Sequence, residues 1–340
     1  MFSDILAATD LVQAVDPVVA AAARLAEQFR VKLHILHVLE SGDTQNRRKV
    51  RHYITGQDME TNEAYEKQVA DEIRAVYSPI VHSSVGGDIR VVPGFPWEEI
   101  LSWSRLLASG LIVMGPHSAR AAEKGVIRVA GKIGSTVEGV VTRENCPVVI
   151  VNPLVQLEAA EFRCILVGVD FSVSCECALS FAVQLARRFQ GRVVVFHMIP
   201  VPPWPKYSRE NYEADLAATR QRLTEFCEPF FDGLPHEYAI WGGGLPHQEI
   251  LSCAAKTQAD LIVLGSHTKE SRGKWYAGSV VERTSFRAAC PVAVITDPKA
   301  LMPWDGEKRP DPEIGREKDR NIHVFNKGQQ PSWKTPGKTP

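Results

Sequence analysis

The sequence predicts an α/β fold built twice in tandem, and three observations carry that reading. Three segments of the first half return in the second half in the same order. Gly94–Leu101 returns as Gly244–Leu251, Leu111–Ser118 as Leu261–Thr268, and Cys146–Val151 as Cys290–Ile295. The period of about 150 residues is that of a domain and not of a solenoid unit. Within each half, short β-branched runs alternate with longer amphipathic stretches, the signature of βαβ crossovers and a mainly parallel sheet. The length, 340 residues with 44% hydrophobic and 23% charged, suits two ordinary cores.

The elements follow in order. The first strand is Ile5–Thr9, matched by Ile165–Val169. A helix starts at Pro17 with Asp16 as its cap, and Val18, Ala22, Leu25 and Phe29 form its apolar stripe. Ala178, Ala182, Leu185 and Phe189 repeat that stripe. Second strands fall at Lys32–Val38 and Arg192–Met198, and polar helices at Met59–Tyr77 and Arg209–Phe230. Third strands lie near Asp88–Val92 and Glu237–Trp241, and further helices open at Pro96 and Pro246. Strand four is Leu111–Met114 or Leu261–Leu264, and strand five Pro147–Val151 or Val292–Thr296. The last two are near-continuous apolar runs, as strands covered on both faces should be. Each half is thus expected to be a Rossmann-like, mainly five-stranded parallel sheet with helices on both faces. The domains run 1–153 and 160–298. Residues 299–340, rich in proline and mixed charge, are expected to be disordered or to lie as an extended arm.

Several function classes are disfavoured at once. A formal net charge of −1 offers no bulk field for nucleic acid or an anionic membrane. Apolar runs such as Leu261–Leu264 are far shorter than the ~20 residues that span a bilayer. With no basic and apolar leader pattern at Met1–Asp4, a cytoplasmic protein is the default. The seven cysteines form no C-x-x-C pair; Cys175 and Cys177 have neither zinc-ligand nor redox spacing, so free thiols are expected.

In sheets of this kind ligands bind beyond the carboxyl ends of the strands, where strand order reverses. Four sites converge there: Asp10 or Asp170 after strand one, His37-Val38 or His197-Met198 at the end of strand two, Gly115–Ser118 or Gly265–Thr268 after strand four, and Gly134-Ser135-Thr136 or Gly278-Ser279-Val280 where a helix begins. A glycine after a strand permits a sharp turn and close backbone approach. A Gly-Ser helix start presents unpaired N–H groups to an anion. Lys269, Arg272 and Lys274 would add positive charge beside a phosphate.

This ordered set resembles the universal stress protein family across both halves, essentially residues 1–298, whose fold is of the adenine nucleotide α-hydrolase-like type. Nucleotide-binding members carry G-x-x-G-x(9)-G-[ST] after strand four. Here the second half keeps the nine-residue spacing, but Thr268 stands at the second glycine; in the first half Ser118 stands there and the loop to Gly134 has grown to fifteen residues. The resemblance implies ATP, with or without Mg2+, as the ligand. In the second half Asp170 would face ribose or adenine, and Met198 would line the base pocket. Gly265, His267, Thr268, Gly278, Ser279 and Val280 would approach the phosphates. The first-half set is Asp10, Val38, Gly115, His117, Ser118, Gly134, Ser135 and Thr136. It further implies pairing through the fifth strands, satisfied here between the two halves, in a compact monomer or a dimer of such units.

Plainer roles stand beside these. Asp10 and Asp170 also suit capping of the following turn. His37 and His197 suit satisfied core histidines, and Ser135 and Ser279 suit helix N-caps. Three functions are open: a non-catalytic stress-response protein whose nucleotide occupancy alters packing or partners, an interaction module that has lost nucleotide, and a slow ATPase or other adenine-nucleotide enzyme. H-x-G-H and S-G-G-x-D motifs are absent, which disfavours the last.

Overall fold

The computed structural model describes residues 3–10, 17–52, 55–79, 81, 86–116, 133–153, 155, 162–201, 208–266 and 278–295. The first half comprises β1 (Asp4–Thr9), α1 (Pro17–Phe29), β2 (Lys32–Glu40), β3 (Lys49–Arg51), β4 (Asp58–Glu60), α2 (Glu63–Tyr77), β5 (Ile89–Gly94), α3 (Pro96–Leu106), β6 (Leu111–Met114), α4 (Ser135–Arg143) and β7 (Val148–Ile150). The second comprises β8 (Cys164–Gly168), α5 (Val173–Phe189), β9 (Arg192–Pro200), α6 (Arg209–Phe231), β10 (His236–Gly243), α7 (Pro246–Thr257), β11 (Leu261–Gly265), α8 (Ser279–Arg287) and β12 (Val292–Ile295).

Local chemistry explains most boundaries. Asn62, Ser172 and Ser208 sit in extended conformation and accept hydrogen bonds from Tyr65, Cys175 and Asn211, capping α2, α5 and α6. Pro96 and Pro246 open α3 and α7, where their missing N–H costs nothing. Two expectations need correction. Helix α2 starts at Glu63, not Met59, because residues 58–60 pair with Lys49–Arg51 as an antiparallel hairpin. Ser135 and Ser279 are not the caps of α4 and α8; Gly134 and Gly278 hold those positions, with no side-chain bond. The cap expected at Asp16 lies outside the described residues.

Ten of these strands form one sheet in the order β10-β9-β8-β11-β12-β7-β6-β1-β2-β5, and β3 and β4 form a separate two-stranded one. Within the ten-stranded sheet every pairing inside a half is parallel, with strand one beside strands two and four in both halves. Alternation along the strands feeds two cores, as pleating requires. Ile5, Ala7, Ile165 and Val167 face α1, α2, α5 and α6, whereas Leu6 and Leu166 face α3, α4, α7 and α8.

The halves meet where β7 and β12 run antiparallel, with Val149 opposite Ala293, Ile150 opposite Val292, and Val148 opposite Val294. Val149 and Ala293 are matching positions of the repeat, so a local two-fold axis passes between them. The same axis relates Phe29 and Phe189, whose rings meet edge to face at 5.9 Å, with Phe162 at 5.2 Å from Phe189. Asn152 Nδ2 donates to Phe286 O at 2.6 Å, and an Arg188 guanidinium N–H donates to Gln28 O at 2.7 Å.

Two stability predictions follow from this packing. Val149 is 3% exposed, so Val149→Asp buries a carboxylate at the seam and should cost about 3 kcal/mol or more in urea unfolding. The hydroxyls of Thr284 and Ser285 are buried with no hydrogen-bond partner among the described residues, where the first half has buried Val140 and Val141. Thr284→Val should therefore raise unfolding stability by about 1 kcal/mol.

Candidate functional site

The strand order reverses between β8 and β11, and between β1 and β6, which opens a crevice at the carboxyl edge of each half. Each crevice has a buried support that recurs. His37 Nδ1 donates to Thr9 O at 2.9 Å, and His197 Nδ1 donates to Val169 O at 2.7 Å. A carbonyl only accepts, so both rings carry their proton on Nδ1. These histidines tie the exit of strand two to the exit of strand one, directly behind Asp10 and Asp170. In the first half Thr9 Oγ1 also lies 2.7 Å from the buried hydroxyl of Tyr77.

In the second half the turn after β8 is elaborate. Asp170 is exposed, and its Oδ1 accepts from Ser172 N at 3.1 Å and from the Cys175 thiol. Phe171 adopts φ +63°, a left-handed conformation that any residue with a Cβ disfavours. Its ring lies against His197 (4.8 Å between centroids) and Phe226 (5.5 Å), and the Arg222 guanidinium sits 4.0 Å above it. Burial, and then the charge of Arg222, push the His197 pKa below its ordinary value, against the opposing pull of Val169 O and Asp170.

The two glycines after strand four and before the last helix have different reasons for being glycine. A Cβ on Gly265 would lie 2.6 Å from the Ser174 backbone, so close packing of α5 requires the glycine. Gly278 has φ +95°, and no atom of the described residues lies within 4 Å of the position of a Cβ, so there the backbone conformation requires the glycine. Gly134, its counterpart, has an ordinary φ of −67°. Ser279 is exposed and opens α8, whose N-cap Gly278 has no side chain to accept from the first N–H groups, and Val280 is half-buried. Ser135 and Thr136 open α4 in the same way. Met198 and Val38 are half-buried at the ends of β9 and β2. Gly115 follows β6, and Gly134 N bonds Pro116 O at 2.8 Å, which joins the strand-four turn to the start of α4. Asp10 is half-buried after β1. His117, Ser118, His267 and Thr268 lie outside the described residues, as do Lys269, Arg272 and Lys274. Among the described residues no three His, Cys, Asp or Glu side chains gather as metal ligands.

The halves diverge most after strand two. Residues 201–208 join β9 to α6, whereas 41–62 join β2 to α2 through the β3–β4 hairpin. That hairpin is anchored on both faces of the sheet. Val50 enters the α1/α2 core, and Arg47 pairs with Glu98 (3.1 Å) and Glu99 (2.8 Å) at the start of α3. The alternation Lys49-Val50-Arg51 and Asp58-Met59-Glu60 around Gly56 is a period-two signal that identifies it in sequence. The Cys175–Asp170 contact has no such signal, because spacing alone does not show where a thiol points.

A doubly covered, mainly parallel sheet built twice in tandem defines an α/β protein of Rossmann-like type. The universal stress protein family model matches residues 1–152 and again residues 161–296, and the chain belongs to that family. It is 28% identical over 159 residues to a universal stress protein of Methanocaldococcus jannaschii, MJ0531, covering 44% of this chain and 91% of that one. A universal stress protein of Thermus aquaticus is 28% identical over 137 residues, 39% of this chain and 98% of its own. The crystal structure of a universal stress protein from Archaeoglobus fulgidus shares the two-domain fold at 21% identity and a TM-score of 0.58, covering 86% of this chain and 96% of that one. No helix among the described residues is long and apolar enough to cross a membrane.

The sign of the His197 effect sets a pH prediction. A histidine whose folded pKa is lowered is stabilising above its unfolded value near ~6.5, and that stability is lost as pH falls through and below it, because the unfolded chain binds the proton first. Urea unfolding at pH 7, 6 and 5 should show a smaller loss for His197→Asn than for wild type.

Proposed function

We propose that the protein is a non-catalytic, universal-stress-type regulator that binds an adenine nucleotide, ATP with or without Mg2+, in the second-half crevice. Occupancy would alter its packing or its partners. The observation that carries the reading is Gly278: a positive φ at the start of α8, with no atom of the described residues within 4 Å of where a side chain would stand. Backbone N–H groups held this way suit a phosphate. Asp170 follows β8 at the carboxyl edge of the sheet, where a carboxylate can accept from a ribose hydroxyl, and Met198 lies two residues before the end of the neighbouring β9. The first-half crevice is the weaker candidate, since Gly134 lacks the special backbone conformation.

The other reading, an interaction module without nucleotide, draws support from two facts. Gly265 is explained by packing alone, and the Asp170 carboxylate already serves its own turn. Native mass spectrometry of freshly purified protein separates the two, since a co-purified adenine nucleotide excludes the empty module. Equilibrium binding of labelled ATP tests the site itself. Forcing φ +95° on alanine costs ~1–3 kcal/mol, so Gly278→Ala should weaken binding about tenfold, whereas Gly134→Ala should change it little. Equal and negligible retention by wild type and Gly278→Ala removes the nucleotide reading. Steady turnover of ATP by the purified chain would remove the non-catalytic part.

A further inference from the structure

We propose that Cys175 is a positioning residue for the second-half site: its thiol holds the Asp170 carboxylate in the orientation that receives a ribose hydroxyl. The inference rests on the nucleotide reading above and assigns a role to a side chain outside the ligand-facing set. Cys175 lies in the first turn of α5 and is 3% exposed. Asp170 N donates to Cys175 Sγ at 3.2 Å, and Sγ in turn donates to Asp170 Oδ1 at 2.7 Å. Ser172 N donates to the same oxygen at 3.1 Å. The three bonds close a ring from the end of β8 to the first turn of α5. The bonds from Ser172 N and the Cys175 thiol both fall on Oδ1, which holds that oxygen in place.

The thiol has one proton and two acceptors within reach. Gly168 O is 3.6 Å away and uncharged, whereas Oδ1 is nearer and anionic, so the carboxylate takes the proton. Burial first, and the Asp170 charge second, push the Cys175 pKa far up, which keeps the thiol a donor at any physiological pH. The turn it closes holds Phe171 at φ +63°, a strained conformation that persists only where surroundings over-determine it. His197, Phe226 and Arg222 supply contacts on the ring side, and Cys175 supplies the bond on the carboxylate side. The matching residue of the first half is Val15, which has no proton to give. A thiol donor to the carboxylate is therefore specific to the half whose Gly278 adopts the anion-binding conformation.

Cys175→Ala removes the donor, and Cys175→Ser keeps one. Affinities for ATP and for its 2′-deoxy and 3′-deoxy analogues should be measured for wild type and both variants, together with hydrogen exchange at the Ser172 amide. Wild type should prefer ATP over at least one deoxy analogue. Cys175→Ala should weaken ATP about tenfold and flatten that preference, with faster Ser172 exchange. Cys175→Ser should stay within about twofold of wild type on all three readouts. Unchanged Ser172 exchange in Cys175→Ala, or a serine variant that falls as far as alanine, overturns the positioning role itself. Altered exchange with ATP affinity and preference intact overturns the link to ribose. A wild-type protein that binds no nucleotide overturns the ribose role together with the nucleotide reading.

Discussion

The antiparallel pairing of β7 with β12 is the contact on which the rest of the molecule depends. A five-stranded parallel sheet ends on its fifth strand with a row of backbone groups that need partners, and these two strands are wholly apolar and buried. Placing Val149 opposite Ala293 lets each fifth strand satisfy the other and merges two small cores into two continuous ones. The helix face on one side then closes over the axis through Phe29, Phe189 and Phe162. Without that pairing both halves would present an apolar edge strand and the flanks of two open cores.

Beneath this symmetry the carboxyl edges have been built to different plans. The shared part is the histidine that ties strand two to strand one, present in both halves with nearly the same geometry. The second half adds a tightly bonded turn at Asp170 and a helix start that only glycine can adopt. The first half adds Tyr77 against Thr9 and a hairpin clamped by Arg47. At the second-half edge Phe171 holds a left-handed conformation beside the bonded Asp170 carboxylate, and strain of that kind persists only where the surroundings over-determine it.

Much of this was legible in the sequence, for identifiable reasons. The repeated segments carry their own alignment, and apolar runs such as Leu111–Met114 mark buried strands because nothing else buries four consecutive large apolar residues. The positions of Asp170, Gly265 and Gly278 at strand and helix ends followed from the same pattern. What escaped were matters of direction and distance. Met59 reads as helix because it opens the long polar segment that runs to Tyr77, yet pairing with Val50 across the Gly56 turn prevails. Gly265 and Gly278 look equivalent as letters. One is glycine because Ser174 approaches it and the other because of its φ, and only coordinates separate a packing glycine from a conformational one. The bond from Cys175 to Asp170 is likewise a property of rotamers, which no spacing rule contains.

The seam between β7 and β12 has one further consequence. Two separate chains joined through such strands would come apart on dilution, and any substitution in one would appear in both. Here the short connection from Asn152 to Phe162 makes the encounter intramolecular, at an effective concentration in roughly the millimolar range or above. The pairing is thereby independent of how much protein the cell holds. Each half is also inherited as its own stretch of sequence, so one crevice can drift while the other stays under constraint, and the sheet they share remains intact.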